Sequence, residues 1–450
     1  MVERPTWFRR ALIGCLAVAA VVRVAVLLRY HHGAPLGFND AEYYSEQAIG
    51  LAHGRWFTDP ATGGPVAEHG PLTSIVLAPA SWASAPLDWQ RVVTVLTGLA
   101  TVVVLGLVGR RLGGAAVGIA AAGLAALYPN LWLNDGLIMS ESVAALAVSS
   151  WVLAGLVWQQ RRSRGWATVF GLAAGAAVLT RSELAVLAVA TVVIVWWVER
   201  GVRPWRAGLA AAGTALVVAP WVVPNLVRFE RPIVLTTNDG TTLRGANCDR
   251  TYGGRALGSW SVFCLVIDPE TVGLEPSRRS AQWRKDGIAY ARDHAERIPI
   301  VVGARAGRSL DLFGLDYQID EDVRDGRPRW ASWTGVVSFW IVAPLAVAGF
   351  MRWRGVPRGL LVAPVLTVGL STIVLYGGHR IRAPLEPIVV LAAAGASVHL
   401  VMRRHHRHQP PTGTIGVGAR LAGATTGAGS PLAEHSRTLS TDRPPPVSRN

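Results

Sequence analysis

The sequence predicts an all-α polytopic membrane protein. Charged residues make up 16% of its 450 positions, hydrophobic residues make up 51%, and arginines sit in short blocks between long apolar runs. Soluble domains average roughly 25% charged residues. With a mean hydropathy of +0.32, the composition excludes a soluble protein and disorder over the whole length. The 44 Lys+Arg exceed the 29 Asp+Glu, a net charge of +15. Such an excess suits nucleic acid or a membrane surface, and its distribution decides between them. The blocks Arg9–Arg10, Arg110–Arg111, Arg161–Arg164, Arg200–Arg206, Arg352–Arg358 and Arg403–Arg407 alternate with apolar runs rather than gathering on one folded face. Membrane lipids are therefore expected as partners and nucleic acid is not. Lys285 is the single lysine, a bias that suggests a GC-rich bacterial genome.

A helix needs about 20 largely apolar residues to cross the hydrocarbon core, and backbone amides in lipid must be satisfied within the segment, so the runs are helices. About ten crossings are predicted, near residues 11–28, 92–108, 115–133, 137–158, 166–180, 184–198, 207–227, 332–350, 359–376 and 384–402. No cleavage site follows the first run, which reads as an uncleaved anchor. The apolar segment 71–85 is short and carries Pro79. If it does not cross, every arginine block falls on the cytoplasmic side, as the positive-inside bias requires. It is read as a re-entrant or juxtamembrane helix.

The organisation that follows is an N-terminal transmembrane module over 1–227, whose first outer loop spans 30–70, an extracytoplasmic loop domain over 228–331, and transmembrane helices over 332–402. A cytoplasmic tail over 403–450 begins RRHHRH and continues with Pro, Gly, Ser and Thr, too poor in apolar residues to form a core. Both termini are expected in the cytoplasm and the protein in the plasma or inner membrane. The outer loops would then share one face with the turns around 134–141, 181–183 and 377–382, so ionisable residues converge there.

The first outer loop reads GFNDAEYYSEQAIGLAHG from Gly37 to Gly54. From Asp40 the pattern is helical, and such a helix lies naturally along the interface. Asp40 at its start reads either as a functional carboxylate or as an N-cap. Glu42 and Tyr44 accompany it. Glu68 and His69 precede Gly70 and Pro71, where the chain enters apolar surroundings. A carboxylate there is placed to accept a proton or bind a divalent cation, or is an interfacial loop residue. Glu141 lies one turn into an apolar helix, where an ionisable side chain is a functional candidate by default, or hydrogen-bonds a neighbouring helix. Arg181 and Glu183 either pair with each other or serve a ligand. In GGHRIRAPLEP, His379, Arg380 and Arg382 precede the last helix. Two outer arginines there run against the charge bias and offer planar donor forks for phosphate, unless Glu386 or Glu183 takes them. Cys248 and Cys264 share one extracytoplasmic segment, where a disulfide is the favoured reading. Walker, dinucleotide, HExxH and nucleophile-elbow motifs do not occur.

Four places resemble the GT-C superfamily of polytopic glycosyltransferases, chiefly its protein O-mannosyltransferase and aminoarabinose (lipid A) transferase branch. They are the acidic motif Asp40-Ala41-Glu42-Tyr43-Tyr44-Ser45-Glu46, the acid before a Pro-Leu helix start at Glu68-His69-Gly70-Pro71-Leu72, the LTR segment at Arg181, and the turn Arg380 to Pro387. The similarity covers the chain from about residue 11 to 402. It implies a GT-C-like bundle and a glycosyltransferase that uses a polyprenyl-phosphate sugar donor and an extracytoplasmic acceptor. It implies Asp40 as catalytic acid or base, Glu68 in a supporting role or with Asp40 on a divalent metal ion, and Arg181, Arg380 and Arg382 on the donor phosphate. His69 stands where relatives often have Lys. Direct displacement would invert the anomeric centre. The alternative is a transporter or flippase of polyprenyl-linked sugar, which would need polar residues along a path to both faces.

Overall fold

The computed structural model describes residues 6–37, 40–266, 271 and 273–408; the expected tail from 409 onward lies outside them. The described residues form helices joined by turns. Helix α1 (Thr6–Val26) runs on through a π turn to His31, and α2 (Asp40–Ala52) follows. Helix α3 (Leu72–Leu77) continues as a 3-10 turn to Trp82. At eleven residues, Leu72–Trp82 is too short to cross a bilayer.

The next helix, α4 (Pro86–Leu127), has 42 residues. A straight helix of that length would reach about 63 Å, twice the ~30 Å hydrocarbon core. It turns back instead at Gly113 and Gly114, the latter at φ 84°, a left-handed backbone that glycine adopts without strain. The two arms pack through small residues: a Cβ on Gly109 would lie 2.9 Å from the Val117 carbonyl oxygen.

The chain continues through α5 (Pro129–Trp132), α6 (Ser140–Arg161), α7 (Arg164–Thr180), α8 (Ala185–Glu199) and α9 (Trp205–Arg228). Among the described residues, eight helices are long and apolar enough to span. Counting both arms of α4 and the 17-residue α7 recovers the expected ten, an approximate figure. Helix α6 is the most enclosed of the spans, whereas α1 and α9 turn most of their surface outward.

The segment between α9 and the last spans folds as α10 (Asn238–Ala246), α11 (Asp249–Tyr252), α12 (Phe263–Val266), α13 (Pro276–Asp293), α14 (Ile298–Ser309) and α15 (Leu315–Arg324). Cys248 and Cys264 are bonded, with Cα atoms 6.2 Å apart. Buried arginines also hold it together. Arg308 donates to the carbonyls of Leu257 at 2.7 Å and Gly314 at 3.2 Å, and Arg305 donates to Ala246 at 3.0 Å and Ile373 at 2.8 Å. Then come α16 (Arg329–Phe350), α17 (Val356–Val374), α18 (His379–Arg382) and α19 (Glu386–His408).

The two ends of the bundle differ in charge. At one end the arginine-rich turns meet: Arg206 and Arg162 flank Glu199 at 3.0 and 3.7 Å, Arg110 covers Phe8 at 4.6 Å, and Arg164 covers Trp205 at 4.9 Å. The other end gathers the starts of α2, α6 and α18 with the end of α7.

Near that second end, Arg23 of α1 is buried. Its Nε donates to Asp135 Oδ2 at 2.7 Å and its Nη groups to the carbonyls of Ala126 and Ala125 at 3.2 and 3.3 Å, while Ser142 donates to Asp135 Oδ1 at 2.6 Å. Removing one partner strands the other charge, at a cost of about 3–5 kcal/mol, whereas apolar replacement of both is often near neutral. Asp135→Leu should therefore lower the thermal midpoint in detergent sharply, and Arg23→Met with Asp135→Leu should recover most of the loss.

Candidate active site

The site is built from six elements that end at one mouth of the bundle, Arg181 following the end of α7. Asp40 opens α2. His69 sits in the turn before α3, which lies close against the end of α7: a Cβ on Gly70 would come 2.4 Å from the Leu179 carbonyl oxygen. That close approach sets His69 near Arg181. Glu141 occupies the first turn of α6, and Arg380 the short helix α18. The loop after α15 adds Asp325 and Arg327.

Arg380 is the centre. Its Nη2 donates to Asp40 Oδ2, and its Nε donates to Glu141 Oε1 at 3.0 Å and lies 3.9 Å from Asp325 Oδ2. Arg181 reaches the same Glu141 oxygen at 3.5 Å, and donates to Ser140 Oγ at 3.4 Å and Glu183 Oε1 at 2.5 Å. Glu141 is fully buried, and its Oε2 has no hydrogen-bond partner among the described residues. Asp40 and Arg380 remain 28% and 26% exposed, which makes them the part of the cluster that an incoming molecule meets.

His69 Nε2 lies 3.5 Å from Asp40 Oδ1, and Asn238 approaches His69 Nδ1 at 3.5 Å. The imidazole packs against the rings of Tyr43 and Tyr44, each 5.1 Å away. Burial would raise the Asp40 carboxyl, but Arg380 and then His69 overcome it and hold it well below the usual carboxylate range. Burial likewise disfavours the His69 imidazolium, yet Asp40 leaves its proton affinity raised. Asp40 is therefore an ionised acid between a guanidinium and an imidazole whose proton affinity it raises.

A second buried cluster lies beside the first. His379 uses both ring nitrogens, Nδ1 at 2.9 Å from Asp322 and Nε2 at 2.6 Å from Asp311. Arg382 donates to Asp311 at 2.7 Å and Glu386 at 2.6 Å, and its guanidinium stacks 3.7 Å from the Phe339 ring centroid. Tyr128 donates to Glu386 at 2.8 Å. Arg327 donates to Asp322 at 2.9 Å, Asp325 at 3.1 Å and Asn134 at 2.9 Å. A cavity of about 20 Å³ borders this cluster, room for one water.

Of the residues singled out from the sequence, the structure brings together Asp40, His69, Glu141, Arg181 and Arg380. It bonds Cys248 to Cys264 as expected and places the remaining candidates elsewhere. Glu42 is exposed on the opposite side of α2 from Asp40. Tyr44 is buried behind His69 rather than open to a ligand. Arg382, expected on a phosphate, is 2% exposed and committed to Asp311 and Glu386, and His379 is committed to two aspartates. The Glu68 side chain forms no ion pair with an arginine among the described residues and faces Tyr43 and His69 instead. A metal on Asp40 and Glu68 does not fit the donor set, since Asp40 Oδ2 is taken by Arg380 and no three His, Cys, Asp or Glu side chains among the described residues converge as ligands. Sequence reasoning missed Asp311, Asp322, Asp325, Arg327 and Asn134. One signal was present: Arg327, like Arg380, is an arginine beside the outer end of a predicted span.

The bundle is similar in fold to solved oligosaccharyltransferases. Solved structures similar to the chain include the oligosaccharyltransferase AglB from Archaeoglobus fulgidus in complex with an inhibitory peptide and a dolichol-phosphate, at 15% identity and TM-score 0.52 over 94% of this chain and 53% of that one. The A. fulgidus oligosaccharyltransferase tethered to an acceptor peptide with the NVT sequon gives 14% and 0.55 over 90% and 50%. ArnT from Cupriavidus metallidurans bound to undecaprenyl phosphate gives 18% and 0.44 over 89% and 81%. The chain spans about half the length of the oligosaccharyltransferases it matches. No protein-family model and no curated protein matches it in sequence. At such identities the likeness is one of fold.

The second cluster has a measurable pH signature. Burial would raise the Asp322 carboxyl, but His379 and Arg327 pull it down to about 2, against about 3.9 for a free aspartate. A depressed acid stabilises the fold fully above the unfolded value and loses that contribution as pH falls through the folded one, here on the order of 2 kcal/mol between pH 4 and 2. Thermal melts should show Asp322→Asn less stable than wild type at pH 7 and flatter across that acidic window.

Proposed function

We propose that the protein is an integral membrane glycosyltransferase that moves a sugar from a polyprenyl-phosphate-linked donor to an acceptor on the extracytoplasmic face. The observation that carries this reading is the Asp40–Arg380 pair: an accessible carboxylate and an accessible guanidinium side by side at the mouth of an apolar bundle. A lipid-linked phosphate has its chain in the bilayer and its charge at the interface, so a receptor for it needs cations at helix ends. The charge bias of the far end, where the arginine-rich turns meet, supports an extracytoplasmic mouth.

In this reading Arg380 holds the donor phosphate and stabilises the negative charge that grows on it as the bond to the sugar breaks, while Arg181 and His69 stay on Glu141 and Asp40. The acceptor hydroxyl oxygen forms the new bond to the anomeric carbon. The phosphate oxygen leaves with the bonding electron pair, and the hydroxyl proton passes to Asp40. Glu141 is too enclosed to reach an acceptor, and its place between Arg380 and Arg181 suits it to aim both at one point. The sugar is lipid-linked and the acceptor is a lipid, a cell-wall glycan or a protein.

The test is transfer of label from a panel of polyprenyl-phosphate sugars by purified protein. Asp40→Asn should lower kcat by about 10²–10⁴-fold with the fold intact, and full activity in that variant would remove the mechanism. Arg380→Ala should impair donor use far more than Arg110→Ala, whose guanidinium lies at the opposite end against Phe8. Label crossing liposomes with the glycosidic bond intact would point to a flippase instead.

A further inference from the structure

We infer that binding of the donor phosphate is coupled to uptake of a proton by the carboxylate trio around Arg380, with Asp325 the residue that holds it. This rests on the proposed reading of Arg380 as the phosphate contact. Arg380 is shared among Asp40, Glu141 at 3.0 Å and Asp325 at 3.9 Å, one cation serving three acids. A phosphate that takes the guanidinium withdraws that cation and adds its own negative charge. Like charges gathered in a buried site do not all stay ionised.

The remaining contacts decide which acid takes the proton. Asp40 keeps His69, 3.5 Å away, and is the most exposed of the three at 28%. Glu141 keeps Arg181, also at 3.5 Å. Asp325 keeps only Arg327, at 3.1 Å, and Arg327 also serves Asp322 at 2.9 Å. The charged groups that face Asp325 are Arg327 from its own loop, Glu321 from the end of α15, Arg380 from α18, Glu141 from α6 and Asp40 from α2. Burial already pushes the Asp325 carboxyl above its ordinary value against the pull of Arg380 and Arg327, with Glu141 and Asp40 adding to the rise. Losing Arg380 removes the first of those opposing cations. Asp325 then becomes neutral, and Asp40, released from Arg380 yet still beside His69, stays ionised as the proton acceptor. Asp325 acts through Arg380 and Asp40, as a positioning residue.

The experiment measures affinity of the purified full chain for a polyprenyl methyl phosphate, a diester that carries one charge throughout as the donor does, by calorimetry from about pH 5 to 8, across which a carboxyl that gains a proton on binding is read by linkage. Uptake of one proton makes affinity fall up to about tenfold per pH unit. The expected result is that fall in wild type, near-flat affinity in Asp325→Asn, and its return in Asp325→Glu. Flat affinity in wild type overturns the inference without any variant, and so does an equal fall in wild type and a folded Asp325→Asn. Absence of binding at every pH overturns the donor reading itself and this inference with it.

Discussion

The mouth of the bundle depends on one constraint: a guanidinium in surroundings of low dielectric must find a carboxylate, because an unpaired buried charge costs several kcal/mol. The four-residue helix α18 carries three basic side chains, and together they find acids on several other elements. His379 takes Asp311 and Asp322, Arg382 takes Asp311 and Glu386, and Arg380 takes Asp40 and Glu141. The chain from residue 311 to 327, the start of α2 and the start of α6 are thereby tied to a single turn. The apolar helices bring these segments to the same end, and charge pairing fixes how they face one another.

The crossings, the one-sided gathering of ionisable residues and the candidacy of Asp40, Glu141 and Arg380 were legible because they follow from local rules: run length, arginine bias, and the cost of a charge on an apolar helix. Partner choice was not. Arg380 meets Glu141 across 239 positions and Asp40 across 340, and no local pattern selects those acids from the others on that face. The acids of 311–325 read as a solvated loop because nothing in their own stretch says that Arg382, Arg327 and His379 will cover them. Glu42 is the opposite case. On a helix, positions i and i+4 share a side whereas i+2 points away, so the spacing that aligns Tyr44 with Asp40 already turned Glu42 outward, and grouping it with the motif overrode the geometry.

The distribution of polar groups also bears on the choice between transfer and transport. A path across the bundle would need exchangeable polar side chains along its axis. The buried ionic clusters described above lie at the mouth, apart from the Glu199 pairs at the arginine-rich turns, and α6, the most enclosed span, is lined past its first turn by Ala, Val, Leu and Trp with only small hydroxyls between. Such a bundle is suited to anchoring a site at one interface.

Arg380 and Arg382 show what separates a structural arginine from one free to serve a ligand. Two residues apart on a helical turn, they point to opposite sides. Arg382 is 2% exposed, stacked on Phe339 and bonded to two acids that are themselves buried, so a ligand would have to enter a closed, low-dielectric network to reach it. Arg380 carries one acid more but is 26% exposed, so water can replace part of what it gives up, and in the proposed reading a phosphodiester offers its fork two oxygens that share one negative charge. The sequence assigns both the same charge and nearly the same place. Accessibility, set by which face of α18 looks into the bundle, makes one of them a fixed tie and leaves the other able to change partners.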